Sequence, residues 1–263
     1  MNMSFYVGAL GAKAGMDRMS VSANNLANVN NNGFKPKNAV FTDMLNYNLN
    51  AAEGEVSKLK AGNGVRTQRT YTDFSSSGIT ETGQEHDYAI LQDNAFFMLK
   101  DPGTEAISFT RDGHFHIGRL GEEGDYYLLS DNGKYVMDEE GEPLVIEVVD
   151  IEKMIEEANS EDGEADDDDD EDDEEDKPTV GVYTLSNPSH LSSIGDNEYV
   201  TTREMEAVAI ENPRLRQGAL EISGTNVARE MVRVIESQRA YTYALKMVQT
   251  SDEIEGTVNS LRG

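Results

Sequence analysis

Four histidines are the first candidates for metal or acid–base chemistry: His86, His114, His116 and His190. His114 and His116 stand two apart, so on a strand they share one face, as paired zinc ligands do. No further His follows at a metal spacing and the chain has no cysteine, so the pair reads as ordinary strand residues. The second candidate is the run 161–176, where 14 of 16 residues are acidic. A calcium loop needs carboxylates at alternate positions and a glycine at the sixth. Asp166 to Asp170 runs straight into Glu171, so that pattern fails. Like charges this dense repel, and there is no apolar residue to bury. The stretch 159–178 is therefore expected to be a disordered, solvated acidic loop. Gly62-Asn63-Gly64 lacks the next glycine of a phosphate cradle and reads as a turn. There is no Gly-x-Ser-x-Gly, Walker loop or His-Glu-x-x-His. These residues make no positive case for an enzyme, and no catalytic, cofactor-binding or metal-ligating residue is assigned.

The composition narrows the partners. The 263 residues include 22 Lys plus Arg and 50 Asp plus Glu, a net charge of −28. A surface that acidic is unsuited to displacing counterions from nucleic acid. No unbroken apolar run of ~20 residues is present, so no membrane span is expected. The first residues, Met1-Asn2-Met3-Ser4-Phe5, lack the basic flank of a secretory signal. On this ground alone the chain reads as cytosolic.

What would have to position any surface is a pair of terminal helices around a β-rich middle. Residues 3–30 and 218–262 read as helical. In the second, Val227, Met231, Val234, Gln238, Tyr241, Leu245 and Val248 follow alternating steps of four and three, a heptad-like seam. In the first, Phe5, Ala9, Ala12, Met16, Met19, Ala23 and Leu26 form one apolar stripe. Met3, Val7, Leu10, Ala14 and Val21 form another beside it. One stripe suffices for a lone surface helix. Two stripes leave two readings open: helices of one globular core, or a helix shared between its own partner and another subunit.

The middle carries strand signals. Asn132-Gly133 between Tyr126–Leu129 and Tyr135–Met137 reads as a tight hairpin with positive φ at both residues. Glu139–Glu142 then separates it from Leu144-Val145-Ile146, giving a three-strand meander. Tyr88–Leu91 and Phe96–Leu99 read as strands joined by Gln92-Asp93-Asn94. Val180–Tyr183 and Glu198–Val200 add two more, and 151–158 reads as a short helix. The expected fold class is α+β: N- and C-terminal helices pairing as a coiled-coil-like stalk, with an inserted mainly antiparallel β domain. The expected division is a discontinuous helical axial-core domain, 1–61 and 203–263, and a β-rich outer domain, 62–202.

Several segments, in order along nearly the whole chain, carry a resemblance. Ser22-Ala23-Asn24-Asn25-Leu26-Ala27-Asn28-Val29-Asn30-Asn31-Asn32-Gly33-Phe34-Lys35 is followed by Phe41-Thr42-Asp43-Met44-Leu45. Gly78–Gly83, Asp87–Ile90, Phe96-Phe97, Phe109-Thr110-Arg111-Asp112-Gly113-His114-Phe115 and Asn187-Pro188 with Leu191 occupy the middle. Gly218-Ala219-Leu220-Glu221-Ile222-Ser223 and Glu230–Tyr241, with Gln238-Arg239-Ala240-Tyr241 at its end, close the chain. Together they resemble the rod and hook axial proteins of the bacterial flagellum, and the length with a single β module is similar to the basal-body rod type, proximal or distal. Asn31-Asn32, Gly224-Thr225 and Ala244 depart from the family pattern.

The resemblance implies a structural subunit of the flagellar basal-body rod. It would polymerise through its terminal helices into a helical tube that transmits motor torque to the hook, and be required for flagellum assembly and motility. Its partners would be other copies of itself, other rod and hook proteins, the flagellar export apparatus, and rod-surrounding bushing or cell-wall layers. It implies a place in the basal body, outside the cytoplasmic membrane, reached by export without a cleaved signal. The assembly residues implied are Phe5, Leu10, Met16, Met19, Asn24, Asn25, Leu26, Asn28, Gly33 and Phe34 at the first helix and its motif. At the second they are Leu220, Val227, Met231, Val234, Ile235, Gln238, Arg239, Tyr241, Leu245 and Val248. The alternatives are a hook-type or hook-capping component, or, from another class, a calcium-binding soluble adhesin or enzyme using the acidic loop.

Overall fold

The computed structural model describes residues 3–44, 47–48, 60–119, 126–146, 179–201 and 207–262. The short helix expected at 151–158 and the acidic loop 159–178 lie outside the described residues. The chain divides into two compact units: residues 1–30, 35–73 and 225–263, and residues 31–34 with 74–224.

The first unit is built on helices α1 (Met3–Ala27) and α2 (Val227–Arg262). The helices pack antiparallel. Ser4 Oγ lies 2.8 Å from Ser251 Oγ at one end, and Arg18 pairs with Glu236 at 3.1 Å toward the other. What meets between them is small. The buried residues of α1 are Gly8, Ala12, Ala14, Gly15, Ser22 and Asn25. A Cβ on Gly8 would come within 2.9 Å of Val248 Cγ2, and one on Gly15 within 3.3 Å of the Tyr241 backbone N. The backbones approach where side chains are missing. On α2 the residues that face α1 include Ser237, Tyr241, Ala244, Val248 and Ser251.

This line shares Tyr241 and Val248 with the expected seam and departs from it elsewhere. Val227, Met231, Gln238 and Leu245 are exposed. The first α1 stripe also splits, with Ala12 buried and Ala9, Met16 and Ala23 exposed. Hydrophobic periodicity cannot register glycine and serine, and here they form the contact.

The start of α2 is capped. Asn226 accepts from Arg229 N through Oδ1 at 2.9 Å, so α2 begins at Val227 and not at 218. Residues 219–221 instead form a strand, Ala219–Glu221, paired antiparallel with Ile79–Glu81. After α1 the strand Lys37–Asp43 pairs antiparallel with Val65–Thr72, with an irregularity between Val40 and Phe41. That pairing places Val65–Thr72 in the first unit, and strands from Ala207–Ala209 to Ala219–Glu221 belong to the second.

The second unit holds a ten-stranded sheet whose pairings are all antiparallel. Its central strand, Ala95–Lys100, is buried on both faces. Phe97 and Leu99 enter a cluster with Ile90, Phe115, Leu128 and Val182. Phe96 and Met98 enter another with Phe74, Phe109, Tyr183 and Tyr199. This explains its unbroken apolar sequence, since neither face needs a polar side chain.

The expected hairpin at Asn132-Gly133 forms, with Leu129 opposite Tyr135. Its turn differs: only Gly133 has positive φ, at 72°, and Ser130 both accepts from Gly133 N and donates to Lys134 O. That is a three-residue turn with one left-handed glycine. The meander is also modified. After the bridge between Met137 and Pro143, Val145–Ile146 moves across to pair with Tyr126–Tyr127. Tyr88–Ile90 pairs with Leu215–Gln217 and not with the strand that follows it.

Candidate functional site

Three arrangements could carry function: a clasp around Arg111, a polar cluster at His114, and the outer surface of the helix pair with a cleft beside it.

The clasp joins segments far apart in sequence. Arg111 Nε donates to Glu221 Oε2 at 2.9 Å, and both side chains are buried. Arg111 Nη1 also donates to the carbonyls of Gln92 and Ala95, and Ser77 N donates to Glu221 Oε1. These bonds offset much of the cost of burying the pair, although among the described residues Arg111 Nη2 is buried with no hydrogen-bond partner. Gly33 N donates to Glu221 O at 2.7 Å, and Gly224 N to Phe34 O. Gly33 has φ +63°, and a Cβ there would lie 2.5 Å from the Arg111 carbonyl. Gly33 and Phe34 are buried in this clasp, and Leu220 lies on its strand, also buried. Leu220 is therefore not on the C-terminal helix, because the chain from 219 to 221 is taken up by pairing with Ile79–Glu81.

At the second arrangement, His114 Nδ1 donates to the buried Asp87 Oδ1 at 2.7 Å, and Thr82 Oγ1 donates to Asp87 Oδ2. His114 Nε2 is 3.9 Å from Asp131. The bond to Asp87 raises the imidazole's pKa despite partial burial, with Asp131 adding to it. Burial pushes the neighbouring Asp112 carboxyl up to about 6, against the hydrogen bond it accepts from His114 N. His116 lies on Phe115–Arg119, opposite Leu129. Among the described residues no group of three or more His, Asp or Glu is arranged around a metal position. Asp87, Asp112 and His114 are engaged with one another and with Thr82, which is the work of a structural network.

The helix surface is different in kind. Met231 is 51% exposed, Ile235 50% and Tyr243 68%. Met16, Val227, Val232, Leu245, Met247, Ile254, Val258 and Leu261 are exposed as well. Gln238 and Arg239 stand exposed among them. Phe5, Leu10, Met19, Leu26, Val234, Tyr241 and Val248 are half-buried. So the expected assembly residues fall into two groups, those between the helices and those on their open side. The Asn-rich motif has internal duties. Asn25 is fully buried, donates to Lys37 O at 2.8 Å and accepts from Lys37 N at 2.9 Å, pinning the strand to the helix end. Asn28 Nδ2 donates to Asn24 O, closing the last turn of α1. Periodicity alone missed Val232 and Met247, one residue off the expected seam, and Tyr243, two residues off it.

Beside the helices is a cleft of about 230 Å³, lined by Arg18 and Val21 of α1, Arg233 of α2, and Lys37, Ala39 and Phe41 of the strand Lys37–Asp43. Sequence reading did not find it, because its residues come from three separate elements.

The comparisons with known proteins agree along the chain. Residues 216–261 match the family described as flagellar basal body rod FlgEFG protein C-terminal. The chain is 32% identical to the flagellar basal-body rod protein FlgG of Buchnera aphidicola subsp. Baizongia pistaciae, over 92% of this chain and 95% of that one. It is 30% identical to the protein of the same name from Borreliella burgdorferi, over 100% of this chain and 99% of that one. Likeness to the flagellar hook protein FlgE of Helicobacter mustelae, at 34% identity, spans 44% of this chain and 27% of that protein.

Proposed function

Since the chain belongs to the flagellar basal-body rod protein family and is a structural subunit of the rod in the flagellar basal body, we propose how it builds that rod. Its terminal helices form a coiled-coil-like stalk, and copies meet through the apolar side chains this stalk leaves open. The observation that carries the reading is the exposure of Met231, Ile235 and their neighbours on α2. Each large apolar side chain fully removed from water contributes roughly 1.5–3 kcal/mol before the costs of association. The contacts repeat without closing and so give a tube. The helical unit, residues 1–30, 35–73 and 225–263, forms the axial core around which the β-rich part stands outward. The tube passes torque to the hook, and its neighbours are other rod and hook proteins. The chain reaches this place through the flagellar export apparatus, and the charge of the acidic stretch 161–176 keeps monomers apart or tunes contact with the layers around the rod.

Rod is favoured over hook because the rod relatives align over nearly the whole chain, whereas the hook likeness covers less than half. The test is genetic. A strain lacking the protein is expected to be non-motile and to carry no hook. The wild-type gene restores both, and a Met231→Glu, Ile235→Glu double variant, expressed and folded, restores neither. Full motility in the strain lacking the protein would refute the reading.

A further inference from the structure

The two helices are unequal in length, and α2 overruns its partner. Ser251 lies against Ser4, one residue from Met3, where α1 begins. From Asp252 to Leu261 every residue of α2 is exposed. Ten residues of helix extend about 15 Å. Ile254, Val258 and Leu261 follow steps of four and three, so they form one apolar stripe continuing beyond the helix contact, and Glu253 and Glu255 flank it on either side.

The opposite end of the same helix pair carries the complement. The cleft there is lined by Arg18, Lys37 and Arg233 with an apolar wall of Val21, Ala39 and Phe41, and among the described residues no carboxylate lines it. Arg233 is held by Glu230 at 2.7 Å and by Asn38. Among the described residues Arg18 forms an ion pair with the exposed Glu236, a pair that solvent weakens and a new partner can displace. Among the described residues Lys37 has no ion-pair partner.

We propose that the overrunning end of α2 in one copy seats in this cleft of the next copy. Its apolar stripe lies on Val21, Ala39 and Phe41, and Glu253 and Glu255 meet Arg18 and Lys37. A chain cannot fill its own cleft, because Arg233 and Glu253 are about 30 Å apart on one helix. The end and the cleft lie at opposite ends of one body, so the contact is head-to-tail and propagates. This rests on the polymerisation reading above and adds the pairing that sets its axial direction.

The chain has no cysteine, which makes the test clean. Full-length protein carrying Ala39→Cys and Val258→Cys is polymerised and mildly oxidised. A ladder of disulfide-linked chains is expected, absent from unpolymerised protein and from either single variant. Separately, Glu253→Lys with Glu255→Lys should raise the concentration needed for polymerisation at least about tenfold, and adding Lys37→Glu should recover much of that loss. Normal filaments with no ladder, or no effect of the charge reversal, overturn this inference and leave the polymerisation reading standing. Failure of the unmodified chain to polymerise overturns both.

Discussion

Asp112 sits where several charges meet, and its carboxyl is pushed by burial up to a pKa of about 6, above the ordinary 3.8. A raised folded-state pKa means the fold prefers the neutral acid. The associated stability is present below about pH 4 and is lost as pH rises through 6. His114, also raised, has the same sign: its contribution is present below its ordinary 6.5 and is lost above its folded value. Asp112→Asn keeps the oxygen that accepts from His114 N and cannot ionise. Urea unfolding should find the variant more stable than wild type at pH 7, by on the order of 1–3 kcal/mol, and equal to it near pH 4. Equal midpoints at both pH values would contradict the account. At this scale the sequence showed Arg111 and Glu221 only as parts of separate motifs. Their meeting could not be read, since it depends on pairing residues 110 apart in the chain.

At the scale of elements, the helices were legible from their apolar spacing, but the start of α2 at the Asn226 cap and the contact between the helices were not. Apolar side chains announce a stripe, but these helices touch through Gly8, Gly15, Ser237 and Ser251, while Met231 and Ile235 face solvent. The same glycine can therefore mean opposite things on these helices. A Cβ at Gly15 meets backbone at 3.3 Å, whereas one at Gly256 meets nothing within 4 Å. Gly15→Leu should force the helices apart and cost about 1–3 kcal/mol. Gly256→Leu should be neutral or stabilise the helix by up to roughly 1 kcal/mol. Thermal unfolding followed by circular dichroism separates the two, and equal effects would mean the helices are not in contact at Gly15. The strands show the complementary limit. Ala95–Lys100 was legible as an apolar run, but its partners were not, because nothing local marks which of several short strands will lie beside it.

On the scale of the whole molecule, the charge is divided as sharply as the fold. The residues of the helical unit include thirteen basic and ten acidic side chains; those of the β unit include nine basic and forty acidic. The unit that carries the exposed apolar side chains of α2 is thus the one with little net repulsion, which suits close self-association. The strongly acidic unit favours solubility and resists non-specific contact. Composition revealed the total of −28 and the dense run, but the division between units emerged only once the strand Val65–Thr72 was seen to belong with the helices.

The central claim is that neighbours cover what the lone chain leaves open on α2. Hydroxyl-radical footprinting of the same protein, as monomer and as polymer, measures this directly. The account predicts that labelling of Met231, Ile235 and Met247 falls several-fold on polymerisation, while that of the exposed Ile107 and Ile194 in the β unit changes little. Unchanged labelling of the three helix residues in well-formed filaments would contradict it.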